Sequence, residues 1–479
     1  MKNGVYIGLD VGTTAVKAVA FDKSGQLAAL KRAFYPTSSP QPGYVEQDPE
    51  QVWLQTRRCL LSLYKLLQVP VLGVGISGAM HSLLAVDAAS LPLTPALLWS
   101  DGRSAEIARR LNSTSLGEQL YRQTGTPIHP MSPLCKLCWW QQQRPKWLNK
   151  VSRWVSLKEY ICFKMTGEWL VDYSIASATG LFDIHRLNWC EEALAYARIS
   201  SDQLSLPVAP ETKIQFNEKA IAGIPLIIGA SDGCLANLGA GSIDRGDAVM
   251  TVGTSSALRC NASAPVIHPA GRLFCYLLSR GRYVYGGGSN AGGNTWQWLN
   301  KTLSGSSRIN YQKSFDLAAQ APAGCEELSF LPYLTGERAP LWNSSATAVF
   351  SGLSIRHERK HMLRACLEGI LFNLRLIAVE MNNGNMPALT QIAMSGGMAA
   401  SPFFMQLAAD IMGVRVYLSH TEELSAWGAA LLTRESLTGD KSFTSTQSVD
   451  TYYPNPHNQA LYSGAFEQFK LLLKRYKYL

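Results

Sequence analysis

The stretch LDVGTTAVKAVAFD, residues 9–22, decides the fold class because it places two apolar segments around one Gly-Thr-Thr turn. Apolar and small residues alternate on both sides of the turn, as in buried strands, so the pattern predicts a β-hairpin. A Walker phosphate loop, GxxxxGK followed by Ser or Thr at the start of a helix, does not occur in the sequence. The hairpin turn can still bind phosphate through its N–H groups and hydroxyls, with Lys17 adding charge and Asp10 placed to hold Mg²⁺ through water. An ordinary hairpin with a polar turn is the alternative.

Two further stretches extend this pattern. DAVMTVGTSSALRCN, residues 247–261, repeats the strand, Gly-Thr-Ser turn and strand. Two such turns indicate two related domains that face each other across a polyphosphate. QIAMSGGMAASPFFMQLAADIMGVRVYL, residues 391–418, predicts a strand, a glycine turn, a helix and a strand. Gly396 and Gly397 would let a planar base approach the backbone, and Ser401 is expected to begin the helix.

Composition sets the general class of protein. The chain has 479 residues, 47% of them hydrophobic, which is enough for large cores and for two or three domains. The start MKNGVYIGLD does not resemble a signal peptide, and no apolar run is long enough to span a bilayer. Ten scattered cysteines suit a reducing compartment. We therefore expect a cytoplasmic protein without a membrane segment.

The net charge of +9 is spread along the chain, apart from one cluster near its end. Lys470, Lys474, Arg475 and Lys477 form that cluster, which we interpret as the solvated face of a terminal helix rather than a nucleic-acid site. Small anionic ligands are a better match to the dispersed positive charge.

Three short motifs suggest other chemistry but lack the context it needs. Cys135-x-x-Cys138 has thiol-motif spacing without the second pair of ligands that a zinc site requires. HERKH, residues 357–361, fits the zinc-peptidase pattern, but the apolar stripe begins only after the histidines, so His357 is expected in a loop or a first helical turn. GVGISG, residues 73–78, fits a dinucleotide motif but precedes another strand rather than a helix.

Taken together, the Asp-x-Gly-Thr-Thr hairpin, the Gly-Thr-Ser hairpin and the late Ser-Gly-Gly resemble the actin-like sugar-kinase ATPases, and specifically the FGGY carbohydrate kinases. MSPLCKLCWWQQQ, residues 131–143, is similar to the first FGGY signature, and AVFSGLSIRHERKHMLRACLE, residues 348–368, to the second. Cys366 departs mildly from the expected residue type. The resemblance implies an α/β fold of two actin-like (ribonuclease H-like) ATPase domains with an interdomain cleft, expected at residues 1–243 and 244–479.

The resemblance also implies phosphoryl transfer from ATP, with Mg²⁺, to a sugar hydroxyl whose proton a carboxylate accepts. Asp232 follows the buried strand of IPLIIGASDGCLANLGAG, residues 224–241, and would be that base, a role compatible with capping the next helix. The resemblance assigns the phosphates to Gly12, Thr13, Thr14, Lys17 and Thr254, the adenosine to Gly396, Gly397 and Ser401, and the sugar to Met80, His81, Trp99 and Asp232.

The segments AMHSLLAVD, TGTPIHPMSPLCKL and SLKEYICFKMTGEWLVDYSIASATGLFD look most like the gluconate kinases of this family, so D-gluconate is the expected substrate. Xylulose or another pentulose or polyol is the alternative. A substrate carboxylate needs a cation or several donors, and the sequence does not choose among the candidates His81, Arg103, His129, Lys136 and Arg338. A chaperone-like or filament-forming ATPase, a zinc peptidase and an inactive sugar sensor are weaker alternatives. The oligomeric state stays open, a homodimer included.

Overall fold

The computed structural model describes residues 4–241, 246–305, 308–384, 386–442 and 450–478. It is an α/β protein built on two mixed sheets. The strands of the first sheet are β1 (Val5–Val11), β2 (Ala15–Phe21), β3 (Leu27–Phe34), β4 (Val71–Gly78), β5 (Lys213–Ile214) and β6 (Leu226–Ser231). They lie in the order β5-β6-β4-β1-β2-β3. The strands β1, β4 and β6 are parallel, and β2 returns antiparallel to β1.

The second sheet belongs to the later part of the chain. Its strands are β7 (Asp247–Val252), β8 (Ser256–Ala262), β9 (Phe274–Ser279), β10 (Arg282–Ser289), β11 (Gln391–Ser395), β12 (Arg415–Leu418) and β13 (Thr451–Tyr452). They lie in the order β9-β10-β8-β7-β11-β12-β13. The strands β7, β11 and β12 are parallel, and β8 returns antiparallel to β7.

Both sheets therefore repeat one plan, in which the first strand of a hairpin has a parallel neighbour on its other side. Both predicted hairpins are confirmed, with Asp10 opposite Lys17 in the first and Thr251 opposite Ala257 in the second. The third predicted stretch is confirmed as well, since Gln391–Ser395 leads through a 3-10 turn into a helix that begins after Ser401. The residues of β1 are almost all buried, as expected for a strand with neighbours on both sides and helices over both faces.

Helices cover the two sheets and fill the connections. They are α1 (Pro49–Leu66), α2 (Ala105–Asn112), α3 (Ser115–Thr124), α4 (Pro133–Gln143), α5 (Leu157–Thr166), α6 (Tyr173–Ser177), α7 (Glu191–Ala197), α8 (Asp232–Gly239), α9 (Gly293–Ser304), α10 (Tyr311–Ala319), α11 (Arg359–Asn383), α12 (Pro402–Met412), α13 (Leu424–Thr438) and α14 (Pro456–Arg475). Local sequence fixes several starts. The Ser132 hydroxyl accepts from the Cys135 N–H before α4, and Ser156 and Glu159 form a capping box at α5.

Five short two-stranded ladders complete the secondary structure of the described residues. They pair Glu46–Gln47 with Ala96–Leu97, Leu84–Val86 with Arg153–Val155, Leu170–Asp172 with Leu206–Val208, Phe182–Asp183 with Asn188–Trp189, and Ser329–Leu331 with Val349–Ser351.

Helix α13 ties the two halves of the chain together. It follows the second sheet in sequence but packs on the first, where a Cβ at Gly8 would stand 1.8 Å from the Ala426 carbonyl oxygen. It also crosses α8 closely, since a Cβ at Gly428 would stand 1.9 Å from the Leu235 carbonyl oxygen. Only glycine permits such contact between backbones. The predicted boundary between residues 243 and 244 lies outside the described residues and stays a prediction.

The three misleading motifs have structural explanations. Helix α11 begins at Arg359, so His357 precedes it, as predicted, and the two histidines of HERKH do not share a helix face. Cys135 and Cys138 lie on α4, and burial raises the pKa of the Cys135 thiol to about 11. GVGISG lies within β4 and leads to the strand Leu84–Val86, as predicted.

The basic cluster near the end of the chain lies on and just after helix α14. The terminal basic cluster was expected on the solvated face of a helix, and Lys474 and Arg475 are indeed exposed at the end of α14. Among the helices of the described residues, none combines the length and the apolar character that crossing a bilayer requires.

Candidate active site

A cavity of about 380 Å³ lies between the two sheets. The strands β1, β4 and β6 are parallel and in register at their carboxyl ends, so the segments that follow them meet at one edge of the first sheet. The second sheet brings the turn after β7 to the other side of the cavity. Seven of the predicted site residues line this space, namely Thr13, Thr14, Met80, His81, Trp99, Asp232 and Thr254.

The first Gly-Thr-Thr turn is held by side chains from neighbouring segments. The Gly12 carbonyl accepts a hydrogen bond from the Tyr35 hydroxyl, and the Thr13 carbonyl accepts one from Gln47 Nε2 at 2.5 Å. The Thr13 hydroxyl accepts from the Trp99 indole N–H at 3.3 Å. Because these hydrogen bonds occupy the carbonyl groups of the turn, its N–H groups can bind an anion.

The second turn docks against the start of helix α9. The Gly253 carbonyl accepts from the Gly293 N–H at 2.7 Å, and the Thr254 carbonyl accepts from the Asn294 N–H at 3.0 Å. The glycine of the third stretch packs behind this turn, because a Cβ at Gly396 would stand 2.4 Å from the Val252 carbonyl oxygen. Gly396 also has a φ of 96°, which favours glycine.

Asp232 is the first residue of α8, directly after the end of β6. The helix cap is the preceding Ser231, whose hydroxyl accepts from the Cys234 N–H, so the expected capping role does not fall to Asp232. Asp232 Oδ1 accepts from the Gly233 N–H at 2.7 Å. Desolvation raises the pKa of this carboxyl, while the positive charge of Arg259 opposes the rise. A carboxylate with a raised pKa at a cavity wall is suited to accept a proton.

His81 presents a hydrogen-bond acceptor to the cavity. Its Nδ1 lies 2.7 Å from the Ala178 carbonyl oxygen, which can only accept, so Nδ1 carries the proton. Burial, with the charges of Lys136 and Arg338, lowers the pKa of the ring to about 3, so the ring is neutral. Nε2 is then an acceptor, and the Tyr276 hydroxyl donates a long hydrogen bond of 3.4 Å to it. Nε2 can accept a hydrogen bond from a sugar hydroxyl, but it has no proton to donate to a carboxylate.

Asp10 lies behind the first turn and is not among the residues that line the cavity. Its Oδ1 accepts from the Ser77 hydroxyl at 2.7 Å. Desolvation raises its pKa to about 6, and the negative charges of Asp232 and Glu423 add to the rise. A cation near Asp10 would relieve this repulsion between carboxylates, and carboxylate oxygen is the donor type that Mg²⁺ prefers. The described residues contain no group of three metal-ligating side chains.

The chain matches two domain models of one family. The N-terminal domain of the FGGY family of carbohydrate kinases matches residues 5–239, and the C-terminal domain matches residues 248–434. The chain belongs to the FGGY family of carbohydrate kinases. It is therefore a phosphotransferase that has an alcohol group as acceptor and ATP as phosphate donor.

Relatives of this carbohydrate kinase include proteins of two named activities. It is 37% identical to the gluconokinase of Bacillus subtilis (strain 168), over 89% of this chain and 86% of that protein. The crystal structure of gluconate kinase from Lactobacillus acidophilus matches with a TM-score of 0.94 and 31% identity, covering 99% of this chain and 98% of that one. A xylulose kinase structure from Lactobacillus acidophilus has the same TM-score and identity, covering 98% of each chain.

Several predicted nucleotide residues of the kinase lie outside the cavity. Lys17 is not at the turn, because its ammonium group forms a 2.5 Å ion pair with Glu423 at the start of α13. Gly396 and Gly397 are exposed on the far side of the second turn. Ser401 is buried, and its hydroxyl accepts from the Phe404 N–H as the cap of α12. Their assigned contacts with nucleotide stay predictions.

The structure shows which of the candidate side chains are free to bind a substrate carboxylate. Arg103 is held by Asp101 and Glu46 and stacks on Tyr44, so it is already paired. Lys136 is fully buried, and its ammonium group donates to the carbonyls of His81 and Leu98 at 2.6 and 2.7 Å.

Two candidates remain. The His129 ring packs edge-on against Trp342, and burial lowers its pKa to about 3, so it is neutral. Arg338 lines the cavity and stacks on the Trp99 ring, with 4.7 Å between the guanidinium carbon and the ring centre. Of the five candidates, Arg338 is the charged group at the cavity wall.

Sequence reasoning missed three residues that shape the kinase site. Arg259 lines the cavity from β8, Tyr276 faces His81 from β9, and Gln47 holds the first turn. A signal for Arg259 was present, since it is the single charged residue in the strand SALRCNA. Tyr276 and Gln47 sit in unremarkable local sequence, and only the fold brings them to the site.

Proposed function

We propose that this kinase transfers the γ-phosphoryl group of ATP to the terminal hydroxyl of D-gluconate, giving 6-phosphogluconate and ADP. The observation that carries the proposal is the single cavity that brings Asp232 together with both threonine turns and with His81. The similarity to gluconokinase from Bacillus subtilis and to the gluconate kinase structure supports gluconate as the acceptor.

Asp232 is the proposed general base. Its Oδ1 is engaged by the Gly233 N–H, which leaves Oδ2 to accept the proton of the attacking hydroxyl. The hydroxyl oxygen forms the new bond to phosphorus as the bond from phosphorus to the ADP oxygen breaks. The raised pKa of Asp232 makes proton transfer to it more favourable at neutral pH.

Sugar binding is assigned to His81, Met80 and Trp99. His81 Nε2 accepts a hydrogen bond from a sugar hydroxyl in exchange for its long bond from Tyr276, while Met80 and Trp99 contribute apolar walls. The Trp99 indole N–H also donates to the Thr13 hydroxyl, so a hydrogen bond joins the proposed sugar-binding wall to the proposed phosphate-binding turn. Such a link supports alignment of acceptor and donor, which is a large part of the catalysis of phosphoryl transfer.

Nucleotide binding is assigned to the two turns and the exposed glycines. Thr13, Thr14 and Thr254 line the cavity and would contact the phosphates together with the adjacent Gly12, and Lys17 would reach them after exchanging its bond with Glu423. Gly396, Gly397 and Ser401 would border the adenosine. Asp10 would hold Mg²⁺ through water, and the ion would neutralise charge on the phosphates.

D-Xylulose is the second candidate acceptor, because a xylulose kinase structure matches as well as the gluconate kinase structure. Initial rates of ATP-dependent phosphorylation on gluconate, xylulose, ribulose, fuculose, rhamnulose and glycerol decide between them. We expect the highest kcat/KM on gluconate. A higher value on xylulose would replace gluconate with the pentulose while leaving the kinase assignment in place.

A further inference from the structure

Two arginines line the cavity beside the second sheet. Arg259 lies on β8, two residues after Ala257, so both side chains point to the same face of the sheet. Ala257 is paired with Gly288 on β10, and a Cβ at Gly288 would stand 2.9 Å from Arg338 Nη1. The Arg338 guanidinium therefore lies over Gly288, on the face of the sheet that also carries Arg259.

Arg338 is fixed in one orientation by neutral groups. Its Nε donates to Asn290 Oδ1 at 2.9 Å, and its Nη2 donates to the Ser289 carbonyl at 2.9 Å. The adjacent Glu337 carboxylate is occupied instead by the N–H groups of Asn290 and Arg338, each at 2.7 Å, and by the Ser289 hydroxyl. The guanidinium is thus positioned without being neutralised by an ion pair.

Arg259 has an unsatisfied donor. Its Nε is buried and has no hydrogen-bond partner within the described parts of the chain. The guanidinium lies beside Gly233, where an added Cβ would stand 3.3 Å from Nε. A buried charged donor without an acceptor costs stability, so its presence at a cavity wall indicates an anionic ligand that supplies the acceptor.

The position of Arg259 distinguishes between two possible anions. It lies four residues after Ser255 of the second turn, which is roughly 13 Å along a strand. The backbone of Arg259 is therefore well separated from a phosphate bound at the turn, while its guanidinium reaches to Gly233, the residue after Asp232. An extended six-carbon acid whose terminal hydroxyl faces the transferred phosphoryl group would have to turn its carboxylate toward the wall that carries Arg259 and Arg338.

We infer that Arg259 and Arg338 together bind the carboxylate of a sugar-acid substrate and select it over neutral sugars. This assignment rests on the proposed gluconate kinase function and names the residues that determine its specificity. Two guanidinium groups provide planar pairs of donors that match the geometry of a carboxylate. The neutral His81 ring at the same cavity takes hydroxyl groups and leaves the acid group to the arginines.

The test compares wild type with Arg259→Met, which keeps the length of the side chain and removes its charge. Calorimetric titration without nucleotide should give a Kd for gluconate about 100-fold weaker in the variant. The Kd for ATP should stay within about 3-fold. Glucitol, which has CH₂OH in place of the carboxylate, should bind wild type and variant alike. Arg415→Met removes an exposed cation from the same sheet and should change none of these constants.

Two further measurements separate this role from a structural one. Because Nε of Arg259 lacks a partner, Arg259→Met should unfold at a Tm no lower than that of wild type. Arg338→Lys keeps a charge but loses the planar fork, so it should weaken gluconate binding about 10-fold.

Three outcomes would overturn the inference. They are gluconate binding by Arg259→Met within about 3-fold of wild type, equal losses for gluconate and glucitol, and a loss confined to ATP. The proposed function fails separately, if wild type phosphorylates xylulose and leaves gluconate untouched.

Discussion

The buried ammonium group of Lys136 donates a 2.6 Å hydrogen bond to the carbonyl oxygen of His81. A second bond, of 2.7 Å, joins the same group to the carbonyl of Leu98, directly before Trp99. One side chain on α4 therefore fixes both segments that carry the sugar-binding side chains. Lys136 neither extends to solvent nor faces the cavity, and it acts as a positioning residue for His81 and Trp99.

We predict that Lys136→Met weakens sugar binding, because methionine fills similar volume but leaves the carbonyls of His81 and Leu98 without their donor. Burial lowers the pKa of Lys136 to about 7, so removing the amine relieves desolvation and offsets the cost of about 2–3 kcal/mol for the two lost bonds. Steady-state kinetics should show a higher KM for the sugar with little change in the KM for ATP. Lys150→Met, at an exposed position, is the matched control and should alter neither quantity.

An unchanged KM for the sugar in Lys136→Met would contradict the positioning role of the two bonds. Higher KM values for both substrates in equal measure would point to general damage instead of loss of position at His81 and Trp99.

The sequence predicts the two hairpins and the strand, turn and helix at residues 391–418 because these features depend on local pattern and on turn residues. The position of Asp232 is equally readable, since a buried strand and a glycine-rich segment enclose it. The helix cap is less readable, because Ser231 and Asp232 are both good capping residues, and the structure places the cap at Ser231.

Contacts between distant segments account for what was missed. The partner of Lys17 is Glu423, which lies 406 residues further along the chain. The environment of Lys136 is also invisible locally, because a lysine among apolar residues on a helix usually extends its ammonium group to solvent. Arg259 is the single charged residue of its strand, but only the arrangement of the two sheets shows that its side chain meets the cavity.

His81→Asn should raise the KM for the sugar by about 10- to 100-fold and leave the KM for ATP unchanged. Asparagine tolerates the positive φ of 67° at this position, so the turn is retained, but its shorter side chain does not bring an acceptor to the position of Nε2. The low pKa of His81 also means that the KM for the sugar in wild type should not report a histidine titration between pH 5 and pH 8. A titration that is present in wild type and absent in His81→Asn would show that the ring is not neutral.

Asp10→Asn should make the protein more stable at neutral pH. The Asp10 pKa is about 6 in the folded protein and about 4 in an unfolded chain. The folded state therefore binds more protons between these values, and wild-type stability falls as pH rises from about 4 to about 6. Asparagine can still accept the Ser77 bond and carries no charge to desolvate.

We expect Asp10→Asn to gain about 1–2 kcal/mol at pH 8, after allowance for the partial exposure of the group, and nothing near pH 4. Chemical denaturation at both pH values measures this difference. Activity should fall despite the gain in stability. When Mg²⁺ is added to metal-free protein, Asp10→Asn should regain less activity than wild type. A variant less stable than wild type at pH 8 would reverse the sign and contradict the prediction.

Asp232→Asn should lower kcat for sugar phosphorylation by about 10³-fold or more, because the attacking hydroxyl loses its proton acceptor. The amide can keep the contact with the Gly233 N–H, so the start of α8 should be preserved. Binding of ATP and of the sugar should therefore change little, and the loss should appear in kcat. Asp316→Asn, at an exposed acid on α10, controls for the loss of one negative charge. Single-turnover phosphorylation at wild-type speed in Asp232→Asn would remove Asp232 from the role of base.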